Sequence, residues 1–148
     1  MSFKSVAFGS DHRGYWLKNK LLNHFSSLGY QVMDYGSDND CVTVDYVDYA
    51  KSVAKHVQLT PRSFGVLVCY SGVGMCVTAN RFKGIRAALC YKSEITALAR
   101  EHNDANIICF GAGFINEEFA VECAGIFANT ELDEQYLVRI NKIDEAEK

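Results

Sequence analysis

The sequence predicts an α/β fold: a three-layer α/β/α, doubly wound sheet of five parallel strands, closed by a C-terminal helix. Three observations carry that expectation. Five short apolar runs recur along the 148 residues. Each is followed by a segment whose apolar residues return at helical spacing. The runs are nearly continuous in Val, Ile, Leu and Phe instead of alternating, as strands buried on both faces read. Strands alternating with helices form a parallel sheet through right-handed crossovers, with helices on both faces.

Taken in order, Lys4 to Gly9 is the first strand, ending at Ser10, Asp11 and His12. Leu17, Leu21, Phe25 and Leu28 then mark a helix that Gly29 stops. Gln31 to Gly36 reads as the second strand, Gly36 to Cys41 as a polar loop, and about Asp45 to Val57 as a helix. Thr60 and Pro61 break the chain before the third strand, Phe64 to Cys69. A glycine-rich turn, residues 70–74, leads into a helix reaching about Arg81. The fourth strand is Arg86 to Tyr91, with a helix over Ser93 to His102; the fifth is Asn106 to Phe110, with a helix over Asn116 to Phe127. Leu137, Ile140 and Ile143 place one apolar side on a closing helix within residues 130–148. The whole chain, 1–148, reads as one domain, a size that buries one good core.

Bulk composition narrows the function. The chain is 49% hydrophobic, 22% charged, with one Pro and a formal charge of −3. Lys and Arg are scattered, so no nucleic-acid partner is expected. No apolar run approaches a membrane span and no signal pattern opens the chain, so a cytoplasmic protein is expected. Six cysteines, none in a C-x-x-C pair or at zinc spacing from a His, point neither to disulfides nor to a metal. Most read as small buried apolar groups.

An open α/β sheet binds ligands beyond the carboxyl ends of its strands, and Asp11, His12, Cys69 and Ser71 all sit just past strand ends. If strands one and three are neighbours, the four meet in one crevice. The segment Val68 to Asn80, VCYSGVGMCVTAN, is the most informative. Gly72 and Gly74 permit a sharp turn that leaves N–H groups pointing outward at a helix start, a place for an anionic group. The spacing fits neither a dinucleotide fingerprint nor a Walker loop. A thiol beside a helix N-terminus is a useful proton acceptor, and the loop amides with Ser71 suit an oxyanion. Cys69 reads equally well as a buried strand-end thiol. Asp11 reads also as a helix cap, His102 and Asn103 as polar loop residues, and Tyr46 as a core aromatic or a pocket wall.

The strings SDHRGYWLK, DYVDYA, VCYSGVGMCVTANRFKGIRAALCY and EHNDANIICFG, in this order over residues 3–127, together resemble the family of type B ribose-5-phosphate and galactose-6-phosphate isomerases. The resemblance implies an aldose–ketose isomerase of the pentose phosphate pathway, free of metal and of any other cofactor, working through a cis-enediol. It implies Cys69 as the residue that moves the proton between C1 and C2; the position of a glutamate base in some members is Met75 here. It implies Ser71 and the amides of Tyr70, Ser71, Gly72, Val73 and Gly74 as the enediolate loop. His102, assisted by Asp11, opens the sugar ring, Asn103 contacts the sugar, and His12 lies on the phosphate side. The resemblance further implies a homodimer or homotetramer whose site is shared between subunits, with residues 130–148 at the interface.

Two departures stand out. Where most relatives carry an arginine after the fifth strand, this chain reads Gly111-Ala112-Gly113, and Gln135 stands for the first of a C-terminal arginine pair of which Arg139 is the second. Arg is the natural bidentate partner of phosphate, so the phosphate site is weakened or rebuilt, with Arg13 a substitute by proximity. A hexose 6-phosphate is the rival substrate, and a non-catalytic small-molecule-binding module is the rival class.

Overall fold

The computed structural model describes residues 2–145. Five parallel strands, β1 (Ser5–Ser10), β2 (Gln31–Asp34), β3 (Ser63–Cys69), β4 (Ala87–Leu89) and β5 (Ile107–Gly111), form one sheet in the order β2-β1-β3-β5-β4. The chain therefore reverses direction across the sheet between β1 and β3, and the crevice of a doubly wound sheet opens at such a reversal.

Helices α1 (Tyr15–Ser27), α4 (Ser93–Glu101) and α5 (Glu117–Asn129) contribute to the core on one face, and α2 (Tyr46–Leu59) and α3 (Val73–Ala79) to the core on the other. The pleat of β3 divides its side chains accordingly: Phe64, Val66 and Val68 join the first core, Leu67 and Cys69 the second. All seven residues of β3 are buried, as the continuous apolar run requires. Local signals set the helix ends. Asp45 Oδ1 accepts from the Val47 N–H at 2.9 Å to start α2, and Asn116 Oδ1 accepts from the Phe119 N–H at 2.8 Å to start α5. Gly29, with φ of +92°, ends α1 where a side chain would be strained.

Three elements differ from the sequence expectation. The fourth strand shrinks to three residues, because β4 is an edge strand paired only with β5. The second strand ends at Asp34, and the chain beyond it is tied to β1 by Ser10 N–H to Gly36 O and Ser37 N–H to Ser10 O. The buried Lys18 braces this stretch, donating to both Asp34 oxygens at 2.9 and 3.1 Å and to the Ser37 carbonyl at 2.9 Å. The closing helix expected over residues 130–148 is not formed by 130–145, and 146–148 lie outside the described residues. Among the described residues the tail holds one α-helical turn, α6 (Leu137–Ile140), between 3-10 turns at Glu134–Tyr136 and Ile143–Glu145. Of the expected stripe only Ile140 is buried, while Leu137 and Ile143 are exposed.

Candidate active site

The crevice between β1 and β3 holds a cleft of about 490 Å³ lined by Asp11, Tyr46, Cys69, Tyr70, Ser71, Val73, Gly74 and Val77. Seven of these eight were expected from the sequence; Val77, one turn further along α3, was not.

Cys69 ends β3, 6% exposed, and its Sγ accepts the Gly72 N–H at 3.2 Å. Gly72, buried at the start of α3, takes φ of +80°. A Cβ there would meet Leu89 Cδ1 at 2.6 Å and the Phe110 carbonyl at 2.9 Å, so both the turn and the close approach to β5 require glycine. Beyond it the amides of Gly74 and Met75 belong to the first turn of α3 and have no carbonyl partner inside the helix. Tyr46, the first residue of α2, lays its ring against Gly74, where a Cβ would meet ring carbons at 2.5–3.0 Å. The aromatic is therefore a wall of the cleft.

Asp11 serves in both of its possible capacities. Its Oδ1 caps the turn after β1 by accepting from the Arg13 and Gly14 N–H groups at 3.0 and 3.1 Å. The residue is 7% exposed and lines the cleft, with no hydrogen bond to Oδ2 among the described residues. His12 stands apart from these lining residues: its Nδ1 accepts the Val44 N–H at 3.3 Å, which ties it to the loop before α2. With Nδ1 accepting, the neutral ring carries its proton on Nε2.

His102, Asn103 and Arg139 are not brought to this cleft. They line a second depression of about 340 Å³ with Tyr136, Ile140 and Ile143. The topology explains the separation. α4 runs back from the carboxyl end of β4 to the amino end of β5, and β5 enters the sheet with Ile107 beside Gly65, whereas Cys69 is level with Gly111 at the far end. The His102 ring stacks on Tyr136, centroids 4.1 Å apart, and Gln135 spends its amide on Asp133 at 2.7 Å.

Sequence reasoning missed the contacts that fix the loop from β5 and β4. The Tyr91 hydroxyl donates to the Ser71 carbonyl, and its pKa is raised by burial and then by the neighbouring Cys69 sulfur. The Ala112 and Gly113 N–H groups donate to the carbonyls of Cys69 and Tyr70 at 2.9 and 3.0 Å. Gly111 leaves the space in which Tyr91 Oη and the Ser71 carbonyl meet. Only the glycine-rich spelling of residues 111–113 hinted at this.

The chain is matched in known proteins over nearly its whole length. The family model described as Ribose/Galactose Isomerase matches residues 6–143. Ribose-5-phosphate isomerase B of Escherichia coli is 39% identical over 117 residues, 79% of this chain and 78% of that protein. The structure of ribose 5-phosphate isomerase B from Anaplasma phagocytophilum superposes with a TM-score of 0.91 at 40% identity, over 97% of this chain and 98% of that one. That of the Mycoplasma genitalium enzyme with bound ribulose-5-phosphate gives a TM-score of 0.91 at 33% identity, over 98% and 96%. The fold and the length coincide, and the chain belongs to the ribose/galactose isomerase family.

Proposed function

We propose that the protein interconverts ribose 5-phosphate and ribulose 5-phosphate through a cis-enediol, with Cys69 as the base. The observation that carries this reading is a 6% exposed thiol ending a central strand inside the cleft, with the Gly72 N–H on its sulfur and free first-turn amides beside it. Bound open-chain aldose presents its C2 hydrogen to Cys69, which takes that proton. The C–H electron pair becomes the C1=C2 double bond, and the carbonyl pair moves onto O1. Ser71 and the amides of the loop over residues 70–74, that of Gly74 among them, stabilise that oxyanion. The O2 proton passes to O1, which leaves the charge on O2. That oxygen's pair then forms the C2 ketone while the C1=C2 pair takes the proton back from Cys69 at C1, so the thiolate is regenerated and atoms and charge balance. Asp11, with one oxygen committed to its cap and the other free, holds a sugar hydroxyl. Tyr46 and Tyr70 wall the ring, and Val73 limits its width.

His102, Asn103 and Arg139 complete the site from a second copy of the chain, His102 opening the ring, Asn103 on the sugar and Arg139 on the phosphate. Their position at the opposite end of the sheet from Cys69 supports this division, since one chain does not bring the two groups together. The assembly is a homodimer or a homotetramer with the tail segment at the interface, working in the cytoplasm. No helix of the described residues is long and apolar enough to cross a membrane.

Complementation tests the reading. Cys69→Ala and His102→Ala proteins are each inactive on ribose 5-phosphate. After unfolding and refolding as an equal mixture, random pairing in a symmetric dimer leaves one intact site in half the dimers, about a quarter of the wild-type rate. Mixtures as inactive as their components refute the shared site. A wild-type protein that turns over galactose 6-phosphate and not the pentose assigns the hexose reading, and one that binds either sugar without turnover assigns the binding module.

A further inference from the structure

We infer that Arg13, stacked on the ring of Tyr70, is a cation that receives the substrate phosphate from the Cys69 side of the site, alongside Arg139 of the second copy, and that Gly113 is the seat that the ring needs. The inference rests on the sugar-phosphate reading above. The Arg13 guanidinium carbon lies 4.5 Å from the Tyr70 ring centroid. The same ring also meets the backbone at Gly113, where a Cβ would fall 2.7 Å from Tyr70 Cδ1 and Cζ. Phe114 closes on it edge-on, with centroids 5.3 Å apart. Any residue larger than glycine at position 113 displaces the ring, and with it the guanidinium.

Arg13 is exposed and forms no ion pair among the described residues; the three ion pairs there employ Lys18, Arg86 and Arg100. Its backbone N–H is bonded to Asp11, so its Cα is fixed beside a cleft residue, and Tyr70 itself lines that cleft. A guanidinium stacked on a ring keeps its in-plane N–H fork open to a bidentate oxyanion. Stacking also restricts the long side chain before ligand arrives, which removes part of the ordering cost of binding. Gln135, whose amide is spent on Asp133, offers no such fork.

Steady-state kinetics on ribose 5-phosphate and competitive inhibition by inorganic phosphate test this together. Arg13→Ala, whose side chain is exposed and whose backbone bond is retained, raises both KM and the phosphate inhibition constant about ten- to a hundredfold, as loss of a charge-assisted contact does. Its kcat stays within about twofold, because the phosphate supplies uniform binding. Arg13→Lys, with charge but no planar fork, falls between. Gly113→Ala shifts both constants in the same direction by moving Tyr70. Unchanged constants in Arg13→Ala, or a fall in kcat at constant KM, overturn the assignment; an unchanged Gly113→Ala overturns the seat. A wild-type protein without turnover refutes the isomerase reading, and the inference is then decided by calorimetric titration of inorganic phosphate. Equal affinity in wild type and Arg13→Ala overturns it.

Discussion

Replacing Cys69 separates chemistry from architecture, because the structure predicts different stability costs for alanine and serine and the same catalytic outcome. The sulfur is nearly buried and accepts the N–H of the buried Gly72 at 3.2 Å. Cys69→Ala leaves that donor without an acceptor, about 1–3 kcal/mol, and removes an apolar group roughly the size of a methyl, about 1 kcal/mol. The expected loss is about 2–4 kcal/mol. Cys69→Ser keeps an acceptor and loses about 1–2 kcal/mol less than alanine. A hydroxyl is a far weaker acid than a thiol, so serine supplies no competent base near neutral pH. A positioned base contributes roughly 10²–10⁴ in rate, or about 2.7–5.5 kcal/mol of barrier. Both variants should therefore lose at least about a hundredfold in kcat with KM little changed. Urea unfolding gives the first pair of values. Initial rates with EDTA present, and deuterium uptake at C1 and C2 from heavy water, give the second. Serine variant turnover within tenfold of wild type, or undiminished exchange in the alanine variant, would falsify the role of Cys69.

Three further perturbations test the scaffold around it. Gly72→Ala forces a side chain onto a backbone at φ +80° and against the Phe110 carbonyl, so the loop shifts and kcat falls by about a hundredfold; circular dichroism should show the sheet intact. Lys18→Met removes three hydrogen bonds from a buried amine, but Asp34, 42% exposed, is left within reach of water, so the usual cost of breaking a buried pair is discounted to about 1–3 kcal/mol in urea unfolding. Cys76, whose pKa the Cys109 thiol lowers to about 7, gains thiolate as pH rises through 7. Its alkylation by iodoacetamide should rise to half-maximum there and level off, while Cys90, pushed up to about 11 by burial, stays unreactive at pH 8. Mass spectrometry of the alkylated peptides separates the two, and a Cys76 rate still climbing steeply above pH 8 contradicts the assignment.

The order of strands and helices was legible because each element announces itself within a dozen residues: β3 is a run of buried apolar residues, and α2 and α5 carry their own caps. The glycine loop was legible for the same reason, its turn chemistry lying within five residues of Cys69. What the sequence concealed is made between distant segments. The slot of β5 between β3 and β4, and with it the grip of Tyr91, Gly111 and Ala112 on the loop, has no local spelling. The tail misled because a spacing of three suits a 3-10 turn as well as an α-helix, and the chain alternates between them around Leu137–Ile140.

The position of β5 has a consequence for the way the protein is made. β3 leaves synthesis with one neighbour, β1, already available, but its other edge is not covered until Ile107–Gly111 has emerged, some forty residues later. During that interval Ser63–Cys69, an unbroken apolar strand, offers a row of unpaired amides and carbonyls to any passing chain. Prematurely terminated products ending near residue 105 should therefore be a principal source of aggregates during expression. The glycine loop cannot acquire its final shape in them either, since Ala112 and Gly113 supply its anchoring donors. A nascent chain thus passes its most adhesive stage without a working site, and the two residues that follow the strand ending the hazard complete the loop.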